Sequence, residues 1–268
     1  MSTNFAIIGG DLRMIKLSKM LAKEGNQIYT YGLEKAEELK EVENIIFCEK
    51  PKQAIEKAKI VIGPIPFSKE KEILNSPFHE NIITVQDFIN PIQKEQIVIA
   101  GSIAPKVHEL AKKNQISIID IMEREELAIL NAISTAEGAI ELMMQNTKQI
   151  LHGSQILILG FGRIAKVLAK KLQGLSVNVT CAARKKEDLA WMKAYGYYAT
   201  NINELGENLQ NYDSIVNTVP HLVLTQEKLQ YINQECMLMD LASKPGGFDQ
   251  EEVKRRNLKF IWGLALPR

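Results

Sequence analysis

A chain of 268 residues, 46% hydrophobic and 24% charged, has the length of one or two domains and enough apolar side chains to build its cores without disulfide or metal support. The 33 Lys and Arg against 32 Asp and Glu leave a formal charge of +1, which excludes the broad basic face that nucleic acid needs, and an acidic tail as well. The three cysteines are scattered, the four histidines (His79, His108, His152 and His221) lack metal-ligand spacing, no leader pattern opens the chain and no apolar run approaches ~18 residues, so the expectation is a cytoplasmic protein with reduced thiols, no metal and no membrane span.

The first element is the apolar run Phe5-Ala6-Ile7-Ile8-Gly9, which reads as a buried strand entering a tight turn. A helix follows, with Leu17, Met20 and Leu21 at helical spacing, and then a strand at 27–31. Apolar runs at 59–66, 96–100 and 116–120 extend the series. The same series recurs 151 residues later: Ile156-Leu157-Ile158-Leu159-Gly160, a helix carrying Val167, Leu168 and Leu172, a strand at 177–181, and runs at 214–220, 237–240 and 258–262. Strands alternating with helices give right-handed βαβ units. The expected fold is therefore α/β: two doubly wound parallel-sheet, Rossmann-like domains, 1–133 and 153–268, joined by a linker helix at 134–152. In that helix Ala136, Ala139, Ile140 and Met143 share a face, Ser134 and Glu137 have capping-box spacing, and the helix is expected to line a cleft between the domains.

Gly160-Phe161-Gly162-Arg163-Ile164-Ala165 matches the G-x-G-x-x-G/A pattern in the context that gives it meaning, after a strand and at the start of a helix. Gly160 permits the tight turn, Gly162 lets the backbone approach a pyrophosphate, and Ala165 keeps the helix close to the strand. Where a carboxylate would bind the ribose of NAD, about 20 residues on, the chain has Ala183-Arg184-Lys185-Lys186. Cations there suit a 2′-phosphate, so NADP is the expected cofactor. Thr218, Val219, Pro220 and Ala242, at later strand ends, are expected to wall its nicotinamide side. The first copy reads Gly9-Gly10-Asp11-Leu12-Arg13 at the same turn; Asp11 replaces Gly162, and a carboxylate would repel a pyrophosphate. The first domain is thus expected to hold substrate instead.

Ligands of open parallel sheets bind beyond the carboxyl ends of the strands. That rule selects Asp11, Arg13, Ser102, Arg124 and Asn217 as substrate-binding candidates, with Arg13 and Arg124 reading equally as surface ion-pair partners. His221, just past a strand end, is the candidate for proton transfer and Lys244 the second catalytic candidate; a solvated loop histidine and a surface lysine are the alternatives.

Several stretches resemble the family of dipicolinate synthase A subunits: Ile8-Gly9-Gly10-Asp11 with Arg13, Met122-Glu123-Arg124-Glu125-Glu126-Leu127-Ala128, Thr135-Ala136-Glu137-Gly138-Ala139, Gly160-Phe161-Gly162-Arg163, and Asp240-Leu241-Ala242-Ser243-Lys244-Pro245-Gly246-Gly247. The resemblance implies oxidation of a dihydropyridine dicarboxylate from the lysine pathway to dipicolinate, for endospores, with hydride passing to NADP. It also implies work with a flavoprotein-like second subunit, the B subunit; a homo-oligomer is the default. The alternatives are a non-catalytic NADP-binding protein that regulates or scaffolds its partner, and a 2-hydroxyacid dehydrogenase-like enzyme, the latter weakened because no histidine follows His221. Ser134 stands where relatives have proline, and relatives continue into a helical tail beyond a Leu-Pro such as Leu266-Pro267, so the chain is expected to be shortened at its C-terminus.

Overall fold

The computed structural model describes residues 2–70, 72–263 and Leu266, and the chain divides after Leu127 into two compact units. In the first, the elements run β1 (Asn4–Ile8), α1 (Leu12–Lys23), β2 (Gln27–Tyr31), α2 (Glu37–Lys40), β3 (Ile45–Phe47), α3 (Pro51–Glu56), β4 (Ile60–Ile62), a hairpin of β5 (Ser68–Glu70) and β6 (Ile73–Leu74), α4 (Val85–Ile89), β7 (Ile97–Ala100), α5 (Pro105–Lys113) and β8 (Ile118–Asp120). In the second they run α6 (Glu125–Asn146, beginning just before the division), β9 (Gln155–Leu159), α7 (Arg163–Gly174), β10 (Asn178–Ala183), α8 (Lys186–Ala194), β11 (Tyr198–Asn201), β12 (Ser214–Asn217), α9 (Gln226–Leu229), β13 (Met237–Asp240), α10 (Gln250–Arg255) and β14 (Phe260–Trp262).

Both units carry a six-stranded parallel sheet with the same strand order, β3-β2-β1-β4-β7-β8 and β11-β10-β9-β12-β13-β14. This is the doubly wound order that reverses beside the first strand, and it bears out the repeat. The apolar runs are continuous because helices cover both faces. Successive side chains alternate between two cores: Ile156 and Ile158 enter one, Leu157 and Leu159 the other, all fully buried. In the first unit Ala6 and Ile8 face one core and Ile7 the other.

The helix expected over 134–152 runs instead over Glu125–Asn146. Ser134 lies in its interior and caps nothing, while Glu137 pairs with Lys171 of α7 at 2.7 Å. Of the expected face, Ala136, Ala139 and Met143 are buried in the core beside β9 and Ile140 packs partly buried against it. By length and composition this helix is also apolar enough to cross a membrane, although Glu137 and Glu141 interrupt its apolar run in the sequence. The expectation about the C-terminal end falls on Leu264, Ala265, Pro267 and Arg268, which lie outside the described residues.

All three cysteines are buried and unpaired. Burial pushes the Cys181 and Cys236 thiols up to about 12, with Asp213 adding to the effect at Cys236, and raises that of Cys48. Alkylation by iodoacetamide at mildly alkaline pH is expected to leave all three unmodified in the native chain and to label all three in urea, as read by mass spectrometry.

Candidate functional site

The two copies make the same backbone contact at the end of their first strand. Gly9 N–H donates to the Tyr31 carbonyl and Gly160 N–H to the Ala182 carbonyl, each at 2.8 Å. Both glycines have positive φ, +65° and +96°. At Gly160 a Cβ would come within 2.6 Å of Thr218 Oγ1 and 2.9 Å of Val219 Cγ2, so β12 requires glycine there. From this turn onward the copies diverge.

In the second unit the turn is open. Gly162 is the N-cap of α7, no side chain caps that helix, and a Cβ on Gly162 would meet nothing within 4 Å. A helix N-terminus without a capping side chain, beside empty space, suits a pyrophosphate. Ala165 is fully buried beneath it, and Phe161 turns its ring inward to Tyr195 and Tyr197, leaving its backbone at the turn. Ile164 is half-buried and Arg163 exposed. The neighbouring strand β10, in register with β9, ends at buried Ala183, and Arg184, Lys185 and Lys186 follow it fully in solvent. The structure thus brings the glycine turn and the three cations to adjacent strand ends, where a dinucleotide fits them.

In the first unit the same turn is filled. Asp11 caps α1 through the Arg13 N–H at 3.0 Å. The chain between β4 and α4 also folds over the strand ends: the Gly10 N–H donates to the Asn75 carbonyl at 2.7 Å, and Asn75 O and Ser76 Cβ lie 3.2 and 3.3 Å from a Cβ built on Gly9. His79, on the same segment, reaches Glu34 at 2.6 Å and the Tyr31 hydroxyl at 3.1 Å. The turn is thus occupied by more than the Asp11 carboxylate evident in the sequence.

The substrate-binding candidates mostly have partners already. Arg13 is bidentate on Asp11, at 3.0 and 2.7 Å, and donates to the Ile65 carbonyl. This guanidinium holds the Asp11 carboxyl below its ordinary range. Arg124 is paired with Glu126. Both take the ion-pair alternative. Ser102 is exposed at φ +56°, its N–H held by Asp120 Oδ1 at 3.1 Å.

Asn217 is a correction. It is fully buried, with its amide donating to the Val219 carbonyl and Asp240 Oδ1, both at 2.8 Å, and its oxygen accepting the Val219 N–H at 3.1 Å. It has no donor left for a substrate. Asp240 is also fully buried; it accepts further N–H groups from Ala242 at 2.9 Å and Gly247 at 2.7 Å. Burial raises its carboxyl against these hydrogen bonds, which favour the charged form. The Ala242 carbonyl accepts the Trp262 indole N–H at 3.1 Å. Polarity alone does not distinguish such a brace from a binding site; the paired glycines after it were the available signal. A Cβ on Gly247 would lie 2.4 Å from Asn217 Cγ.

Thr218 bonds back to the Leu159 carbonyl through its N–H and its hydroxyl, and half-buried Val219 and exposed Pro220 follow it past the end of β12. His221 is exposed, and among the described residues no carboxylate orients it. Lys244 is exposed with Nζ 5.8 Å above the Trp262 ring.

Comparison with known proteins bears on both units. Residues 4–122 match the family model of the N-terminal domain of the dipicolinate synthase A subunit, and residues 127–240 that of the D-isomer specific 2-hydroxyacid dehydrogenase NAD-binding domain. The dipicolinate synthase A subunit of Bacillus subtilis is 27% identical over 98% of this chain and 88% of its own. The crystal structure of that Bacillus subtilis protein superposes with a TM-score of 0.88 at 25% identity, over 98% of this chain and 88% of that one. The crystal structure of its Bacillus halodurans counterpart gives 0.86 at 26%, over 97% and 89%.

Proposed function

We propose that this chain, a relative of the dipicolinate synthase A subunit over nearly its whole length with an NAD-binding dehydrogenase domain, oxidises a dihydropyridine dicarboxylate to dipicolinate with NADP. The observation that carries the reading is the contrast between the two turns: one open at Gly162 beside three exposed cations, the other closed by its own chain. When bound, the nicotinamide accepts a hydride, and aromatisation of the ring drives the transfer. The chain's part is to bind and orient. The N-terminus of α7 and the backbone at 160–164 would hold the pyrophosphate, and Arg184 and Lys185 a 2′-phosphate. Thr218 to Pro220 would wall the nicotinamide. His221 and Lys244, exposed on loops past β12 and β13, are the groups available to a proton or a carboxylate. The first unit is proposed to serve substrate, and a flavoprotein-like second subunit to be the partner, in the cytoplasm.

The test is nicotinamide reduction by the purified chain supplied with fresh dihydrodipicolinate, alone and with that second subunit. Turnover supports the reading; no turnover in either case, with NADP bound, leaves a non-catalytic NADP-binding protein. Calorimetric titration is expected to give tighter binding of NADP than of NAD. Arg184→Ala combined with Lys185→Ala should weaken NADP about 10–100-fold, or about 1.4–2.7 kcal/mol, and change NAD little. Equal affinities in the unaltered chain would remove the case for NADP.

A further inference from the structure

We infer that the first unit carries a divalent transition-metal site formed by His108, Asp120 and Glu123. The three residues come from different elements: His108 from α5, Asp120 from the end of β8, and Glu123 from the 3₁₀ turn that follows. One ligand atom of each lies within 4.8 Å of the other two. An ion with ligand bonds of ~2.0–2.2 Å spans most of such a separation, and Glu123, exposed, is free to close the remainder.

The members differ in how they are held. Asp120 is buried and fixed: Oδ1 accepts the N–H of Ser102 at 3.1 Å and of Met122 at 2.8 Å, and Oδ2 that of Ile103 at 2.8 Å. A carboxylate oriented by backbone donors, with a lone pair left on Oδ2, is how ligating carboxylates are positioned. Among the described residues the side chains of His108 and Glu123 make no hydrogen bond or ion pair, so their ligating atoms are uncommitted. Two carboxylates and an imidazole converge here. Nitrogen plus two carboxylate oxygens suits Zn²⁺ best and Mn²⁺ next, and three protein ligands leave a coordination position for water or an anionic oxygen. The cluster lies at the carboxyl ends of the strands, the edge where parallel sheets take ligands. In sequence it is one histidine and two distant carboxylates, and the histidine spacing alone hid it.

This inference is independent of the dinucleotide reading and is tested without nucleotide or substrate. The full chain, stripped with EDTA, is titrated calorimetrically with ZnCl₂ and with MnCl₂. One equivalent of Zn²⁺ per chain is expected, with at least a ~10-fold loss of affinity in His108→Ala and, separately, in the exposed Glu123→Gln. His152→Ala, at an exposed histidine of the other unit, should bind as the unaltered chain does. Circular dichroism verifies that the variants fold. Absence of Zn²⁺ binding, or binding unchanged in folded His108→Ala or Glu123→Gln, overturns the proposal.

Discussion

Gly162→Asp is expected to lower dinucleotide affinity at least ~100-fold, a loss of about 2.7 kcal/mol or more, while leaving the thermal transition of the chain nearly unchanged. The fold has room for the substitution, because Gly162 has φ −82° and a Cβ there meets nothing within 4 Å. An aspartate at this N-cap would even satisfy helix donors, as Asp11 does at the start of α1. It would place a carboxylate where a pyrophosphate must approach, so charge repulsion and lost N–H groups act together on the ligand alone. Titration calorimetry with NADP beside a melting curve separates the two effects. Retained affinity would put the phosphate site elsewhere.

Asp240→Ala is expected to cost about 3–5 kcal/mol of folding stability, a large share of the ~5–15 kcal/mol available to a domain. The substitution leaves the Ala242 and Gly247 N–H groups and the Asn217 amide buried without their acceptor, and each such orphan carries a penalty of ~1–3 kcal/mol that adds only in part. Asp240→Asn removes the charge that burial disfavours, yet it does not rescue the site. Both carboxylate oxygens accept a backbone N–H, so either orientation of the amide sets its NH₂ against a donor. A loss of about 1–3 kcal/mol is expected for it. Urea unfolding of the three proteins gives the order; an Asp240→Ala variant as stable as the original chain would dismiss the brace.

The legible parts of the sequence were those that physics writes locally. Buried parallel strands must be apolar throughout, so Phe5–Gly9 and Ile156–Gly160 announced themselves, and their recurrence pointed to two parallel sheets of one plan. The G-x-G turn needed its glycines and showed them. Edge strands β3 and β11 are short and half-covered, and carry little pattern. The segment between β4 and α4, which carries the β5–β6 hairpin, gave no sign that it folds back onto Gly10. Asn217 and Asp240 are polar yet buried, and only their mutual bonds reveal it. Arg13 and Arg124 fit a ligand role and an ion-pair role equally by charge, and the structure supplies the partners, Asp11 and Glu126.

The segment that covers the first copy's turn obstructs it by a second means besides the Asp11 carboxylate. Restoring glycine at position 11 would remove one obstacle, but the Asn75 carbonyl would still hold the Gly10 amide and His79 would still be fastened to Glu34. Two independent blocks, one from a side chain and one from an inserted stretch, mean that no single substitution reopens the groove. With one turn covered and the other open, the proposed reading gives an expected stoichiometry of one dinucleotide per chain.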